Sequence, residues 1–239
     1  MDRIIFDMRL ITMYKKVGEA KLEFFGCPLA CKFCSHRMQE RRDMSLDQVV
    51  SYLSEYEVKR VFLGGAEPVL QKRELGELIR TLKKRGKEIT LKTTGFDPTF
   101  LKETLGLVQS YIVEVKGDLD DVAGTSRLVN MPEDSVRAYL SNLRQSLEVL
   151  KGQKVRILLR VIPPYVNKDS IERLGQQIQG YASEMHLVQF MSSTSDTPFE
   201  GITEPSPPLE QVIEMGDALL KYVPVVRVQG DGMDSVLRA

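Results

Sequence analysis

The sequence predicts an α/β fold: a parallel sheet covered by helices, arranged as a partial (β/α)6 TIM-like barrel. Short apolar runs of strand length alternate along the chain with segments whose apolar residues recur at helical spacing. Roughly six such β/α units follow one another, the pattern of a parallel sheet. Glycines, hydroxyls and charges fall just after the strand runs, where parallel β/α folds gather their chemistry. A closed eight-fold barrel takes about 250 residues. This chain has 239, so six units are expected, in a single domain over 1–239 with a core of 18–228, a short N-terminal extension and a C-terminal tail.

Residues 22–25 form the first apolar strand. Ser45 and Gln48 read as a capping box, followed by Leu46, Val49, Val50 and Leu53 at helical spacing. A strand at 58–63 leads to a helix marked by Leu75, Leu78, Ile79 and Leu82, which ends near Gly86. Strands follow at 88–93 and at 111–115, the latter too continuously apolar for a half-exposed edge. Pro132 opens a long helix through Val136, Tyr139, Leu140, Leu143, Leu147 and Leu150, and Gly152 stops it. Strand 155–162, a helix around Ile171, Leu174 and Ile178, and strand 186–191 continue the alternation. A last helix (Leu209, Val212, Ile213, Leu219, Leu220) precedes a strand at 225–228. Two long connections, 117–131 and 192–208, are candidates for lids or binding surfaces.

The 33 basic and 33 acidic residues cancel, so no global field points to nucleic acid or an anionic membrane. The first residues interrupt their apolar run with charge, so no signal peptide is expected. No apolar run is long enough to span a bilayer. A reducing, cytoplasmic setting is the expectation.

The chain has only three cysteines, and Cys27, Cys31 and Cys34 share one short stretch. Iron–sulfur clusters are held by Cys thiolates, and a four-iron cubane normally takes four. Three would leave one iron open to bind something else. Two other readings exist. Cys27, Cys31 and Cys34 with His36 could form a Cys3His zinc site, although structural zinc sites usually join distant ligand pairs. A disulfide framework fits poorly with an odd, crowded set.

The strand ends supply the remaining candidates. The first ends at Gly26-Cys27 and the second at Gly64-Gly65-Ala66-Glu67-Pro68. The third ends at Thr93-Thr94-Gly95, preceded by Lys92. The fourth carries Glu114-Val115-Lys116, the fifth runs from Arg160 to Pro163-Pro164, and the sixth ends at Gln189-Phe190-Met191-Ser192. A small-residue turn lets a backbone approach a ligand closely, and Glu67 offers a carboxylate to a cationic group.

The Cys-x3-Cys-x2-Cys spacing resembles that of the radical S-adenosylmethionine (SAM) superfamily. Gly64-Gly65-Ala66-Glu67-Pro68 resembles the superfamily's Gly-Gly-Glu-Pro turn, with Ala66 where a glycine usually lies. The resemblance implies a [4Fe–4S] cluster on Cys27, Cys31 and Cys34 that cleaves SAM reductively to a 5′-deoxyadenosyl radical. It also implies that Glu67 and the Gly64, Gly65 and Ala66 backbone receive the SAM ammonium. Over about 18–228 the chain is similar to glycyl-radical-enzyme activating enzymes, typified by the pyruvate formate-lyase activase. Cys34-Ser35-His36-Arg37, Thr93-Thr94-Gly95, Glu114-Val115-Lys116 and the Arg160 strand end carry that likeness. By it, Thr93, Glu114, Lys116 and Arg160 would line SAM, and flavodoxin or ferredoxin would supply the electron.

Some positions depart from the activases. Lys92 and Glu114 stand where they use two aspartates around a monovalent cation, so the Lys92 ammonium would take the cation's place. Met191 stands where they carry a histidine, and His186, at the other end of its strand, reads as structural. The substrate is therefore expected to be a partner enzyme's glycine loop or, as in the similarly short 7-carboxy-7-deazaguanine synthases, a small molecule. A non-enzymatic zinc or iron–sulfur protein is the alternative of another class.

Overall fold

The computed structural model describes residues 7–54, 57–192 and 196–239. The charged start that argues against a signal peptide falls mainly on residues 1–6, outside the described residues. By compactness the chain divides into two units, one of residues up to 28 with 36–93 and 99–111, the other of 29–35, 94–98 and 112–239.

In the first unit the strands run in the order β3-β1-β2-β4-β5, where β1 is Met8–Lys16, β2 Gly18–Phe24, β3 Arg42–Met44, β4 Val58–Gly65 and β5 Glu88–Thr93. β2, β4 and β5 pair in parallel, and β1 runs antiparallel to both β2 and β3. Helices α1 (Leu46–Ser54) and α2 (Lys72–Lys84) carry the apolar stripes read from the sequence: Val49, Val50 and Leu53 on α1, Leu75, Leu78, Ile79 and Leu82 on α2, all buried. α1 packs on α2 and α2 on β5, and Leu22, Leu63, Ile89 and Leu91 of the sheet are fully buried. The capping box at α1 is reciprocal: the Gln48 amide N–H donates to Ser45 Oγ (3.2 Å), and the Ser45 amide to Gln48 Oε1 (2.8 Å). Two further segments are α3 (Pro98–Glu103) and β6 (Ser110–Val115).

In the second unit the order is β6-β7-β8-β9-β10, with β7 Val155–Val161, β8 Glu184–Gln189, β9 Val225–Gly230 and β10 Met233–Arg238. β7, β8 and β9 are parallel and β10 is antiparallel to β9. α5 (Glu133–Val149) begins after Pro132, as expected, and α6 (Lys168–Ile178) and α7 (Leu209–Leu219) follow their strands. Alternation is clean on β7, where Val155, Ile157, Leu159 and Val161 are buried and the residues between are half-exposed.

Three differences from the sequence reading have local causes. The expected N-terminal extension contains β1, antiparallel between β2 and β3, and the expected tail contains β10, antiparallel to β9. The 117–131 connection contains α4 (Val122–Val129). Its N-cap is Asp121, whose carboxylate accepts from the Gly124 amide at 2.8 Å, and Asn130 closes it in the left-handed region (φ 52). A Cβ at 124 would meet the Asp121 carboxylate at 2.0 Å, so a larger residue there would displace this cap. Strand β8 stops at Gln189, which leaves Met191 beyond it at φ 63 and exposed.

Candidate functional site

In the first unit the Gly-Gly turn is dictated by close backbone approach. Gly65 has φ +95, and a Cβ there would lie 2.6 Å from the Phe24 amide nitrogen and 2.8 Å from its carbonyl oxygen. Neither backbone atom can move aside, so this strand end admits only glycine. The next residues tie the turn to the strand before Cys27: the Ala66 amide donates to the Phe24 carbonyl and the Glu67 amide to that of Gly26, both at 3.0 Å. Glu67 is wholly buried. Its Oε1 accepts from the Val69 amide (3.1 Å) and from the Thr93 hydroxyl (2.9 Å). Gly64, Gly65, Ala66, Glu67 and Thr93 are thus gathered.

A residue the sequence reading missed organises the same strand end. Gln71 is buried. Its side-chain amide donates to the carbonyls of Arg9 (2.8 Å) and Phe25 (2.9 Å), and its oxygen accepts from the Arg9 amide (2.7 Å). It fixes the backbone two residues ahead of Cys27. No sequence signal marks it, since it lies between the short Pro68-Val69-Leu70 run and the charged Lys72-Arg73-Glu74.

In the second unit Glu114, Lys116 and Arg160 form a buried network. Glu114 Oε1 accepts from Lys116 Nζ at 2.7 Å and from Arg160 Nη1 at 3.0 Å. Arg160 Nε also donates to Asp196 Oδ1 at 2.6 Å. Burial alone would lower the pKa of Lys116 and of Arg160, but Glu114, with Asp196 for the arginine, outweighs it and both are raised. Both cations approach the Phe33 ring, Lys116 at 5.3 Å and Arg160 at 5.8 Å from its centroid. Phe33 belongs to the cysteine loop. The loop's Ala30 and Lys32 amides donate to the Val129 and Leu128 carbonyls of α4, and the Cys34 amide to the Cys31 carbonyl. Asp196, Phe33 and the α4 contacts were not read as site features, because they are brought in by long-range packing.

None of the three cysteines is in a disulfide; Cys31 is buried and the other two are half-buried. Burial pushes the Cys31 thiol up, while Lys116 pulls it down. Among the described residues no three His, Cys, Asp or Glu side chains are gathered as ligands of one metal ion, so fit is judged from donor chemistry. Three thiols on one short loop, with the Lys116 ammonium drawing Cys31 toward the thiolate against its burial, suit an iron–sulfur cluster. His36 lies in a 3-10 turn after the loop.

His186, on β8, is cross-strand from Arg227. Its Nε2 is buried without a hydrogen-bond partner. Burial, then Arg156 and Arg227, lower its pKa from 6.5 to about 4. It is therefore neutral at physiological pH. Between pH 6.5 and 4 the unfolded chain takes up a proton that the folded chain refuses, so stability falls as pH falls through that window. The loss amounts to up to about 3 kcal/mol. Urea unfolding at pH 4.5 and 7.5 is expected to show a smaller pH difference in His186→Gln than in the wild type. An unchanged difference would refute the assignment.

Among the described residues no helix is long and apolar enough to cross a membrane. A family profile described as "Radical SAM superfamily" matches residues 24–178. A Methanocaldococcus jannaschii protein provisionally named a glycyl-radical enzyme activating enzyme is 22% identical over 93% of this chain and 85% of its own length. A 7-carboxy-7-deazaguanine synthase of Methanospirillum hungatei is 37% identical over 75 residues, 30% of this chain and 32% of that protein. Among solved structures, QueE from Escherichia coli superposes with a TM-score of 0.57 at 15% identity, covering 94% of both chains. This likeness assigns the fold, an α/β partial TIM barrel. The superfamily uses a [4Fe–4S] cluster and SAM. With its profile spanning well over half of the sequence, the chain belongs to the radical SAM superfamily and is an enzyme of that type.

Proposed function

We propose that the chain, working as one radical SAM domain, cleaves SAM reductively and directs the resulting radical to abstract hydrogen, in the manner of a glycyl-radical-enzyme activase. The observation that carries the reading is the loop of three cysteines outside any disulfide, whose Phe33 abuts the buried Lys116–Glu114–Arg160 network. Cys27, Cys31 and Cys34 would hold the cluster. When bound, the cluster supplies the electron that breaks the S–C5′ bond of SAM. The amino-acid end of SAM is zwitterionic and needs one group of each sign. Glu67, with the Gly64, Gly65 and Ala66 backbone, would receive the ammonium, and Thr93 orients that carboxylate through its 2.9 Å bond. Lys116 and Arg160, held by Glu114, would face the carboxylate. Burial strengthens these charge-assisted contacts by removing competing water. Lys92 would serve in place of a bound monovalent cation, and flavodoxin or ferredoxin as the electron donor.

The test is anaerobic reconstitution of the full chain, iron analysis, and 5′-deoxyadenosine measurement from SAM with dithionite. A brown protein with about four irons per chain that yields product supports the reading. A colourless protein that carries zinc overturns it.

The local similarity to 7-carboxy-7-deazaguanine synthases favours a second reading, a small-molecule substrate. An isotope label that passes from a partner's glycine into 5′-deoxyadenosine would select the activase reading. Transfer from a small molecule would select the second.

A further inference from the structure

We propose that Asp196 is a positioning residue that fixes the cysteine loop and completes its charge balance. Asp196 comes from the Ser-, Thr- and Pro-rich connection after β8 and has a side chain with no exposure. Both of its carboxylate oxygens are committed. Oδ1 accepts from Arg160 Nε at 2.6 Å, and Oδ2 accepts from the Met191 amide at 3.2 Å. Its backbone forms an antiparallel bridge with Cys34. The neighbouring Thr197 amide donates to the Phe33 carbonyl at 2.8 Å. The cysteine loop is thus pinned on one side by the end of α4, through Ala30 and Lys32, and on the other by the 196–197 segment.

The chemistry of the carboxylate is specific to this task. An asparagine of the same shape has a single acceptor oxygen, so its NH2 group would face either the Arg160 guanidinium or the Met191 N–H, donor against donor. Asp196→Asn therefore releases one of the two ties without changing volume. It also removes one of two buried negative charges. Lys116 and Arg160 balance Glu114 and Asp196, and loss of Asp196 leaves one positive charge in excess beside Cys31 and Cys34. A cluster held there would become easier to reduce, since local charge helps set cluster potential.

Two measurements on full-length Asp196→Asn test this. First, iodoacetamide alkylation of the iron-free chain is followed at each cysteine by peptide mass spectrometry. Loss of a hydrogen bond to a charged group is expected to raise the rates at Cys34 and Cys31 about tenfold. Cys27, which belongs to the other compact unit, is the internal control and keeps its rate. Unchanged rates, or all three rising together, overturn the proposal, the latter because it signals general loosening. Second, the cluster midpoint potential of reconstituted protein, followed by electron paramagnetic resonance, is expected to shift positive; a wild-type potential overturns the proposal. The second arm rests on the reading of the thiols as cluster ligands. If the chain takes no cluster, that reading fails and the alkylation arm alone decides.

Discussion

Cys31→Ala is expected to reduce 5′-deoxyadenosine formation to background and to strip the reconstituted protein of most of its iron, while leaving it folded. Cys31 is buried, and a buried free cysteine packs as a small hydrophobe. Removing its sulfur should cost only about 1 kcal/mol of stability, in the range of other small truncations. The loss of product is therefore chemical. Its thiol is held up by burial and drawn down by Lys116, and metal ligation requires the thiolate. Far-ultraviolet circular dichroism and urea unfolding check the fold. Undiminished product in a folded variant would refute the role of the thiol.

Glu114→Ala is expected to destabilise the fold by about 3–5 kcal/mol, the typical result of removing one partner from a buried ion pair. Glu114 answers two cations with one oxygen, Lys116 at 2.7 Å and Arg160 at 3.0 Å. Arg160 keeps Asp196, whereas Lys116 retains no carboxylate among its described hydrogen bonds. The sign of the pH dependence distinguishes this from ordinary loss of packing. In the wild type Lys116 is raised above its ordinary 10.5. Its contribution is therefore complete below pH 10.5 and is lost only as pH rises through the higher folded value. Without Glu114, burial prevails and pushes the ammonium below 10.5. The variant should then gain stability as pH rises from 7 toward 10, which the wild type should not. Urea midpoints at pH 7 and 9.5 measure both. A variant whose midpoint is flat across that range would refute the pairing. Product formation should also fall, because Arg160 and Lys116 lose their common anchor.

The elements that the sequence made legible share one property. Their apolar periodicity matches a single burial environment. Strand 88–93 coincides with β5, and the α1 capping box and the Pro132 start of α5 are local hydrogen-bond and φ constraints that need no tertiary partner. β1 and β10 escaped because they pair antiparallel to their neighbours, β1 between β2 and β3 and β10 against β9, and so stand outside the β/α alternation that marked the other strands. α4 escaped because Val122–Val129 has weak helix propensity and depends on Asp121 and Asn130 at its ends.

The candidate site divides in the same way. The sequence by itself determined the chemical inventory: three thiols on one loop, a Gly-Gly turn before Glu67, and Thr93, Glu114, Lys116 and Arg160 at strand ends. Residue type and spacing along one loop or strand end are local properties. Tertiary structure alone decided which charges meet. Glu114 holds Lys116 two residues away but Arg160 on the neighbouring strand, and Arg160 in turn takes Asp196 from a distant connection. Gln71 and Asp196 had no signature, since a buried polar side chain is specified by the backbone groups that packing brings to it. Such partners are far apart in sequence, and only the folded chain pays the desolvation that makes their pairing obligatory.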